Sequence, residues 1–161
     1  MKQAGGAVAD FCIFPLIDYD GGAGSPVILS FGETVTRLLI IGLGGFFGAI
    51  SRYLVAGWVQ DLSRSVHFPY GTLAVNILGS FLLGFLVRYA FIHNVFSPEV
   101  RLLIFIGFLG AFTTFSTFSN ETFNMFADGA MLPALMNIAT NVLLGLGAVW
   151  LGQSLAFTLG R

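Results

Sequence analysis

The sequence predicts an all-α integral membrane protein, a single bundle of four membrane-spanning helices. Of its 161 residues, 56% are apolar and 9% are charged, whereas about a quarter of the residues of a soluble domain are charged. The mean hydropathy is +0.87, and each of four apolar stretches is long enough to cross a hydrocarbon core of about 30 Å as a helix. The 21 glycines allow helix backbones to approach closely. A net charge of −1 with a single lysine leaves no basic surface for nucleic acid.

Residues 1–36 differ from the rest of the chain. Acidic residues interrupt their short apolar runs, and the sequence GGAGSP at 21–26 favours a turn. Asp10 follows Lys2 too closely for the uninterrupted apolar region of a signal peptide. We interpret this stretch as an N-terminal extension, flexible or lying at the membrane surface. It precedes a transmembrane domain of residues 37–161.

The first span is predicted to begin after Arg37 and to end near Gln60. Its sequence GGFFG at 44–48 is a GxxxG pattern, which places two glycines on one helix face for close packing. Arg52 lies within about a turn of the apolar run, where a charge is costly in lipid. Two interpretations of Arg52 are equally favoured: an interfacial charge that snorkels to water, or an anchor at the mouth of a pore.

The second span is predicted from Tyr70 to about Ile92, with Asn76 as its one strongly polar residue. A lone amide in a membrane helix usually bonds a neighbouring helix. Here Thr72 precedes Asn76 by four residues and Ser80 follows it by four, so the three form a polar stripe on one helix face. The stripe favours a role for Asn76 in lining a polar path.

The third span is predicted from about Pro98 to Asp128. Its sequence GFLGAFTTFSTF at 107–118 combines glycines, β-branched residues and four hydroxyls, which predicts a discontinuous helix. Broken helices near the membrane midplane present free backbone groups that bind ions. The alternative is an ordinary helix whose hydroxyls bond to their own backbone, and it is less favoured for four hydroxyls within five residues. These hydroxyls belong to Thr113, Thr114, Ser116 and Thr117. Glu121 is predicted to be solvated or interfacial. The other interpretation is that it attracts cations to the mouth of a pore.

The fourth span lies within residues 129–160, which carry no charge. Asn137 and Asn141 are spaced by four residues and therefore share one face of this helix. Two amides on one face are not expected to point into lipid. They either bond another helix or extend the polar stripe of Asn76, and the sequence favours neither interpretation.

The polar groups that could line a path are an amide, the hydroxyls and phenyl rings, without a fixed charge. Rings that stand edge-on favour an anion, because the ring edge carries partial positive charge. This donor-rich set points to a small hydrated anion as solute. Four helices hardly enclose a pore alone, so we expect a symmetric oligomer. No motif of a catalytic or metal site is present, so we expect no enzymatic activity.

Two other functions stay open. A coupled transporter would need an ionisable group on the path, and the absence of a carboxylate or histidine from the span cores counts against it. A structural membrane protein would use its polar groups only to join helices.

The orientation of the protein in the membrane is weakly specified. When Lys2 and Arg52 are set aside, the remaining basic residues show only a modest excess on one side of the membrane. Insertion in both orientations is therefore conceivable. These basic residues are Arg37, Arg88, Arg101 and Arg161 against Arg64.

Four segments closely resemble the Fluc (CrcB) family of fluoride channels. They are GGFFGAISRY (44–53), GTLAVNILGSFLLG (71–84), GFLGAFTTFSTFSNE (107–121) and GLGAVWLG (145–152). The likeness covers about residues 38–157. It implies a dual-topology, antiparallel homodimer in the cell membrane, with two pores that passively export fluoride from the cytoplasm.

The resemblance also implies roles for individual residues. Asn76 is similar to the pore asparagine of the family, and Phe115 and Phe118 to its pore phenylalanines. Ser116 and Thr117 resemble the hydroxyl track, beside which Thr114 offers a further hydroxyl, and Arg52 resembles the vestibule arginine. The backbone carbonyls of Gly110 and Thr113 are similar to those that hold a structural Na⁺ on the dimer axis. The chain departs from the family in its extension and at Asn137 and Asn141, where the family usually has Tyr and Ser.

Overall fold

A computed structural model describes residues 30–160 as a bundle of long helices joined by short loops. The elements are α1 (Phe31–Ser63), α2 (Tyr70–His93), α3 (Pro98–Arg101), a π-helix (Leu102–Leu109), α4 (Gly110–Phe112), α5 (Phe115–Ala127) and α6 (Met131–Leu159). Within residues 30–160, four stretches are long and apolar enough to cross a membrane: α1, α2, the segment Pro98–Ala127 and α6. The protein is therefore a multi-pass helical membrane protein, as the sequence predicts.

Helix α1 begins earlier than the predicted start after Arg37. Ser30 caps it, because its Oγ accepts from the Glu33 backbone N–H at 3.3 Å while the Glu33 carboxylate accepts from the Ser30 N–H at 2.8 Å. The hydropathy pattern marks only the apolar part of the helix and so misses this first turn. Residues 1–29 of the predicted extension lie outside the described residues, and its boundary at residue 36 stays a prediction.

Backbone-to-backbone contacts at glycines hold the bundle together. A side chain at Gly44 would collide with the Leu103 carbonyl, and one at Gly48 with the Phe108 carbonyl, so α1 packs directly on the π-helix. Helices α2 and α6 meet in the same way, since a Cβ at Gly152 would collide with the Phe81 carbonyl. Such contact through small residues is how membrane helices associate without a hydrophobic driving force. Many large apolar side chains therefore remain on the outer surface, such as Leu146 at 67% exposed.

The third span departs twice from α-helical geometry. The π-helix of Leu102–Leu109, which the sequence does not predict, leads into one short turn, α4. Thr113 (φ −85°, ψ 156°) and Thr114 (φ −148°, ψ 115°) then have extended backbones before α5 begins. Thr114 caps α5, because its Oγ1 accepts from the Thr117 N–H at 3.2 Å.

Candidate permeation pathway

The Asn76 side chain pairs with the extended backbone of Thr114. Asn76 Oδ1 accepts from the Thr114 N–H at 2.9 Å, and Asn76 Nδ2 donates to the Thr114 carbonyl at 3.2 Å. The amide of one span thus satisfies two backbone groups of another that have left the helical pattern, as buried backbone groups require. Asn76 therefore has a structural task besides any role in lining a path.

A relay of side-chain hydrogen bonds continues from Asn76 through the fourth span. Asn76 Nδ2 donates to Asn141 Oδ1 at 2.9 Å, and Asn141 Nδ2 donates to Asn137 Oδ1 at 2.9 Å. Asn137 is fully buried and donates to Thr122 Oγ1 at 2.9 Å, and Thr122 donates to the Phe118 carbonyl at 2.8 Å. Both amides therefore bond another helix, Asn137 through Thr122 and Asn141 through Asn76. A role for them in lining a path stays a prediction.

One cavity of about 440 Å³ brings together most of the groups predicted to line a path. Among the residues that the structure describes, no charged side chain lines it. Ser80 adds a hydroxyl that has no hydrogen-bond partner in the described part of the chain. The rings of Phe115 and Phe118 lie 5.7 Å apart at an interplanar angle of 57°. The lining includes Asn76, Ser80, Gly110, Thr113, Thr114, Phe115, Phe118 and Asn141.

The two rings differ in their surroundings. Phe118 is buried at 9% exposed, whereas Phe115 is 79% exposed although it lies in the middle of the third span. The wall of the cavity at Phe115 is therefore open on one side within a single chain.

The four hydroxyls of the third span have different partners. Thr113 Oγ1 donates to the Leu109 carbonyl at 3.1 Å, so the interpretation that a hydroxyl bonds its own helix holds for this residue. Thr114 Oγ1 donates to Thr117 Oγ1 at 2.9 Å and lies 3.4 Å from the Ser116 hydroxyl. Ser116 and Thr117 are exposed. The Thr114, Ser116 and Thr117 hydroxyls thus form one group at the start of α5.

A second, larger cavity of about 980 Å³ lies on the other side of Thr114. Arg52 and Thr117 line it, and within residues 30–160 Arg52 has no hydrogen bond or ion pair. Thr114 lines both cavities and so forms part of the wall between them. Residues 66–69 of the loop after α1 also line the larger cavity. Gln60 holds this loop, because its side chain donates to the Ser65 and Phe68 carbonyls at 2.6 and 3.2 Å.

Glu121 is not fully solvated, because Oε1 accepts from Thr72 Oγ1 at 2.8 Å and Oε2 is buried without a hydrogen-bond partner among the described residues. The other interpretation, that Glu121 attracts cations to a pore mouth, stays a prediction. Glu121 lines the larger cavity, within the Pro98–Ala127 span. Its position could have been read from spacing, because Glu121 follows Thr117 by four residues and Thr114 by seven, which places it on their helix face.

The carbonyls of Gly110 and Thr113 are released from helical hydrogen bonds. The Thr114 N–H, which would complete a helical bond to Gly110, donates to Asn76 instead. Likewise the Thr117 N–H donates to Thr114 Oγ1 rather than to the Thr113 carbonyl. Carbonyl oxygens of this kind are suitable ligands for a hard cation such as Na⁺.

The fold and the site define a class: a small helical membrane protein with a cavity whose described lining is mostly apolar, carries a few amide and hydroxyl groups and has no charged side chain. Residues 39–153 match the family described as CrcB-like protein, Camphor Resistance (CrcB). The chain belongs to the CrcB family, which confirms the resemblance found in the sequence.

Similar proteins carry a more specific name. The chain is 48% identical over 122 residues to the fluoride-specific ion channel FluC 1 of Methanosarcina acetivorans, covering 76% of this chain and 92% of that protein. It is 50% identical over 118 residues to FluC of a Sulfurovum species, covering 73% and 91%. It is 45% identical over 119 residues to FluC of Geotalea daltonii, covering 74% and 95%. The relatives are named as channels, in agreement with the expectation that the chain is not an enzyme.

Proposed function

We propose that this protein is a passive, fluoride-selective channel that exports fluoride from the cytoplasm. The observation that carries the proposal is the uncharged cavity in which the Asn76 amide, the Ser80 hydroxyl and the Phe115 and Phe118 rings meet. The relatives named as fluoride-specific channels, at 45–50% identity, support the choice of anion. A fluoride ion that enters this cavity exchanges its water for N–H, O–H and ring C–H groups.

The path begins in the larger cavity, where Arg52 attracts an anion from water. The hydroxyls of Thr114, Ser116 and Thr117 follow at the start of α5, and the ion then passes Thr114 to reach Asn76 and the two rings. None of the described residues that line the inner cavity, the one of about 440 Å³, is charged. The ion can therefore leave again, because no cationic side chain among them binds it tightly. We propose Ser80 and Asn141 as further lining groups. Asn137 acts indirectly, since it holds Asn141 in place.

We propose that the working unit is an antiparallel homodimer with two pores and that both membrane orientations occur. The 79% exposed ring of Phe115 supports this assembly, because a second copy would close the open wall of the cavity. The weak excess of basic residues on one side is compatible with insertion in both orientations. The third span acts as a discontinuous helix in this assembly, and the extended residues Thr113 and Thr114 support that description.

We further propose a structural Na⁺ on the axis of the dimer. The released carbonyls of Gly110 and Thr113 fit a hard cation, and the exposed position of Gly110 leaves room for the matching pair from a second copy. Four carbonyl oxygens would then surround the ion. Its contribution is to hold the two interrupted spans together.

Proton-coupled fluoride transport is the second candidate, and Glu121 favours it. A carboxyl group with one oxygen buried and unpartnered, next to the proposed path, is a group that could carry a proton. The passive channel remains the better supported function, because Glu121 lies outside the inner cavity and that cavity has no ionisable group among the described residues.

The test is fluoride efflux from liposomes that contain the purified protein, followed with a fluoride electrode. A passive channel releases fluoride only when a K⁺ ionophore carries the compensating charge, and it releases negligible chloride. A proton-coupled transporter releases fluoride without the ionophore and changes the internal pH. A folded protein that releases no fluoride under either condition would be a structural membrane protein and would contradict the proposal.

A further inference from the structure

Every N–H of the Asn76 side chain already has an acceptor. A carboxamide has two N–H donors; one donates to the Thr114 carbonyl at 3.2 Å and the other to Asn141 Oδ1 at 2.9 Å. An anion that is to bind Asn76 must therefore take the place of one of these two oxygens. This inference rests on the proposed anion channel.

Backbone groups fix the direction of the hydrogen bonds between these amides. The Thr114 N–H requires an acceptor, so Asn76 must turn its oxygen toward it and its N–H groups toward Asn141. At the other end, Asn141 Nδ2 donates to the backbone carbonyl of Asn137 at 3.1 Å, a group that can only accept. Asn141 must therefore present its oxygen, not its N–H groups, to Asn76.

The Asn141 oxygen is the more easily replaced of the two acceptors. The Thr114 carbonyl belongs to a two-point pairing with Asn76, and Thr114 is buried at 7% exposed. Asn141 is only half-buried, holds Asn76 by a single hydrogen bond and lines the same cavity as the Phe115 and Phe118 rings. The donor that faces the inner cavity is therefore the one that Asn141 occupies.

We propose that the Asn141 side-chain oxygen occupies the place of the anion at Asn76, so that a permeating fluoride must displace it. Fluoride can do so because a hydrogen bond to a charged acceptor is about twice as strong as one between neutral groups. The Asn141 oxygen must also withdraw, since it would repel the bound ion. Residue 141 thereby sets the apparent affinity of the channel for fluoride, and Asn137, which holds Asn141, is a positioning residue.

The test compares initial fluoride efflux over a range of internal fluoride concentrations for wild type and for variants at residue 141. Asn141→Ala removes the competing oxygen and should lower the half-saturating fluoride concentration by about two- to ten-fold, the effect of one neutral hydrogen bond. Asn141→Ser, whose side chain is shorter, should shift it in the same direction. Asn141→Asp presents a charged oxygen to the same donor and should raise it by about ten-fold or more.

Thr158→Ala is the matched control. The exposed Thr158 hydroxyl bonds only to the Ser154 and Leu155 carbonyls of the same helix, at 3.1 and 2.8 Å, so this variant should behave as wild type. An unchanged or higher half-saturating fluoride concentration in folded Asn141→Ala and Asn141→Ser would overturn this inference. Fluoride efflux by the wild type would in that case still support the proposed channel function. An equal rise in chloride efflux would overturn it too, since the cavity would merely have been widened. A wild type that releases no fluoride would overturn both proposals.

Discussion

Replacing Asn76 by Asp tests the proposed pore with almost no change in size. The Asp carboxylate keeps the acceptor for the Thr114 N–H but loses both donors, to the Thr114 carbonyl and to Asn141 Oδ1. It also places a negative charge in a cavity that has no charged lining residue among those described. Fluoride then meets a like charge where wild type offers an N–H.

The expected loss of flux follows from Coulomb's law. Two like charges about 4 Å apart repel by about 4 kcal/mol at an effective dielectric constant of about 20. An added barrier of that size slows passage by about a thousand-fold, since about 1.4 kcal/mol corresponds to a factor of ten. The substitution also leaves the Thr114 carbonyl and Asn141 Oδ1 without their donor, and each unpaired buried acceptor costs about 1–3 kcal/mol of folding stability. The fold of this variant is therefore checked together with its flux.

The assay is fluoride efflux from liposomes under a K⁺ ionophore, with the oligomeric state checked by size-exclusion chromatography. Asn94→Asp is the matched control, because Asn94 is an exposed residue just past the end of α2 with φ near 49°, a conformation that Asp also tolerates. Efflux of folded Asn76→Asp within about three-fold of wild type would refute the Coulomb argument and remove Asn76 from the path.

Three further predictions test the rings, the helix packing and the proposed cation. Phe115→Ile and Phe118→Ile should each lower fluoride efflux by about three- to ten-fold, because a ring edge is lost. Unaltered efflux in both variants would show that the ring edges do not contribute to fluoride permeation. Gly48→Ala should lower stability in detergent by about 1–3 kcal/mol, because its Cβ meets the Phe108 carbonyl. Gly57→Ala, with nothing within 4 Å of its Cβ, should be neutral or slightly stabilising, and equal thermal shifts in the two variants would contradict the proposed contact. Replacing Na⁺ by N-methylglucamine should shift the dimer toward monomer on size-exclusion chromatography, and an unchanged dimer would argue against a structural Na⁺.

The spans could be predicted from the sequence because hydropathy is a local property. The predicted range of the second span, Tyr70 to about Ile92, differs from α2 by one residue. The start of α1 at Phe31 was missed, since a capping box can extend a helix into sequence of low hydropathy. The π-helix of Leu102–Leu109 could not be predicted from the sequence. Its backbone lies against Gly44 and Gly48 of the first span, and a contact between distant parts of the chain leaves no pattern in the local sequence.

The helix face of each polar residue in the candidate site could be predicted from the sequence, but the groups that these residues contact on other spans could not. Spacing by four residues placed Asn137 and Asn141 on one face, and the structure connects both amides to Asn76. The spacing could not show which groups the amides contact, because Asn76 is 38 residues from Thr114 and 65 from Asn141 along the chain. Glu121 follows Thr117 by four residues, so the spacing places both on one helix face. A charged side chain by itself favours solvent, and this favoured the interfacial interpretation of Glu121.

The structure gives a reason for a carboxamide, rather than a carboxylate or a hydroxyl, at position 76. Pairing with the N–H and C=O of an extended Thr114 needs one acceptor and one donor on a single planar group, and facing an anion needs a second donor. Asp has the acceptors but no donor, and Ser has one hydroxyl hydrogen for both tasks. Only a carboxamide supplies all three groups, and in this chain Asn141 accepts from the remaining donor. The hydrogen bond that completes the packing and the hydrogen bond that a fluoride ion requires therefore use the same N–H, so that at this position stability and permeation compete for one donor.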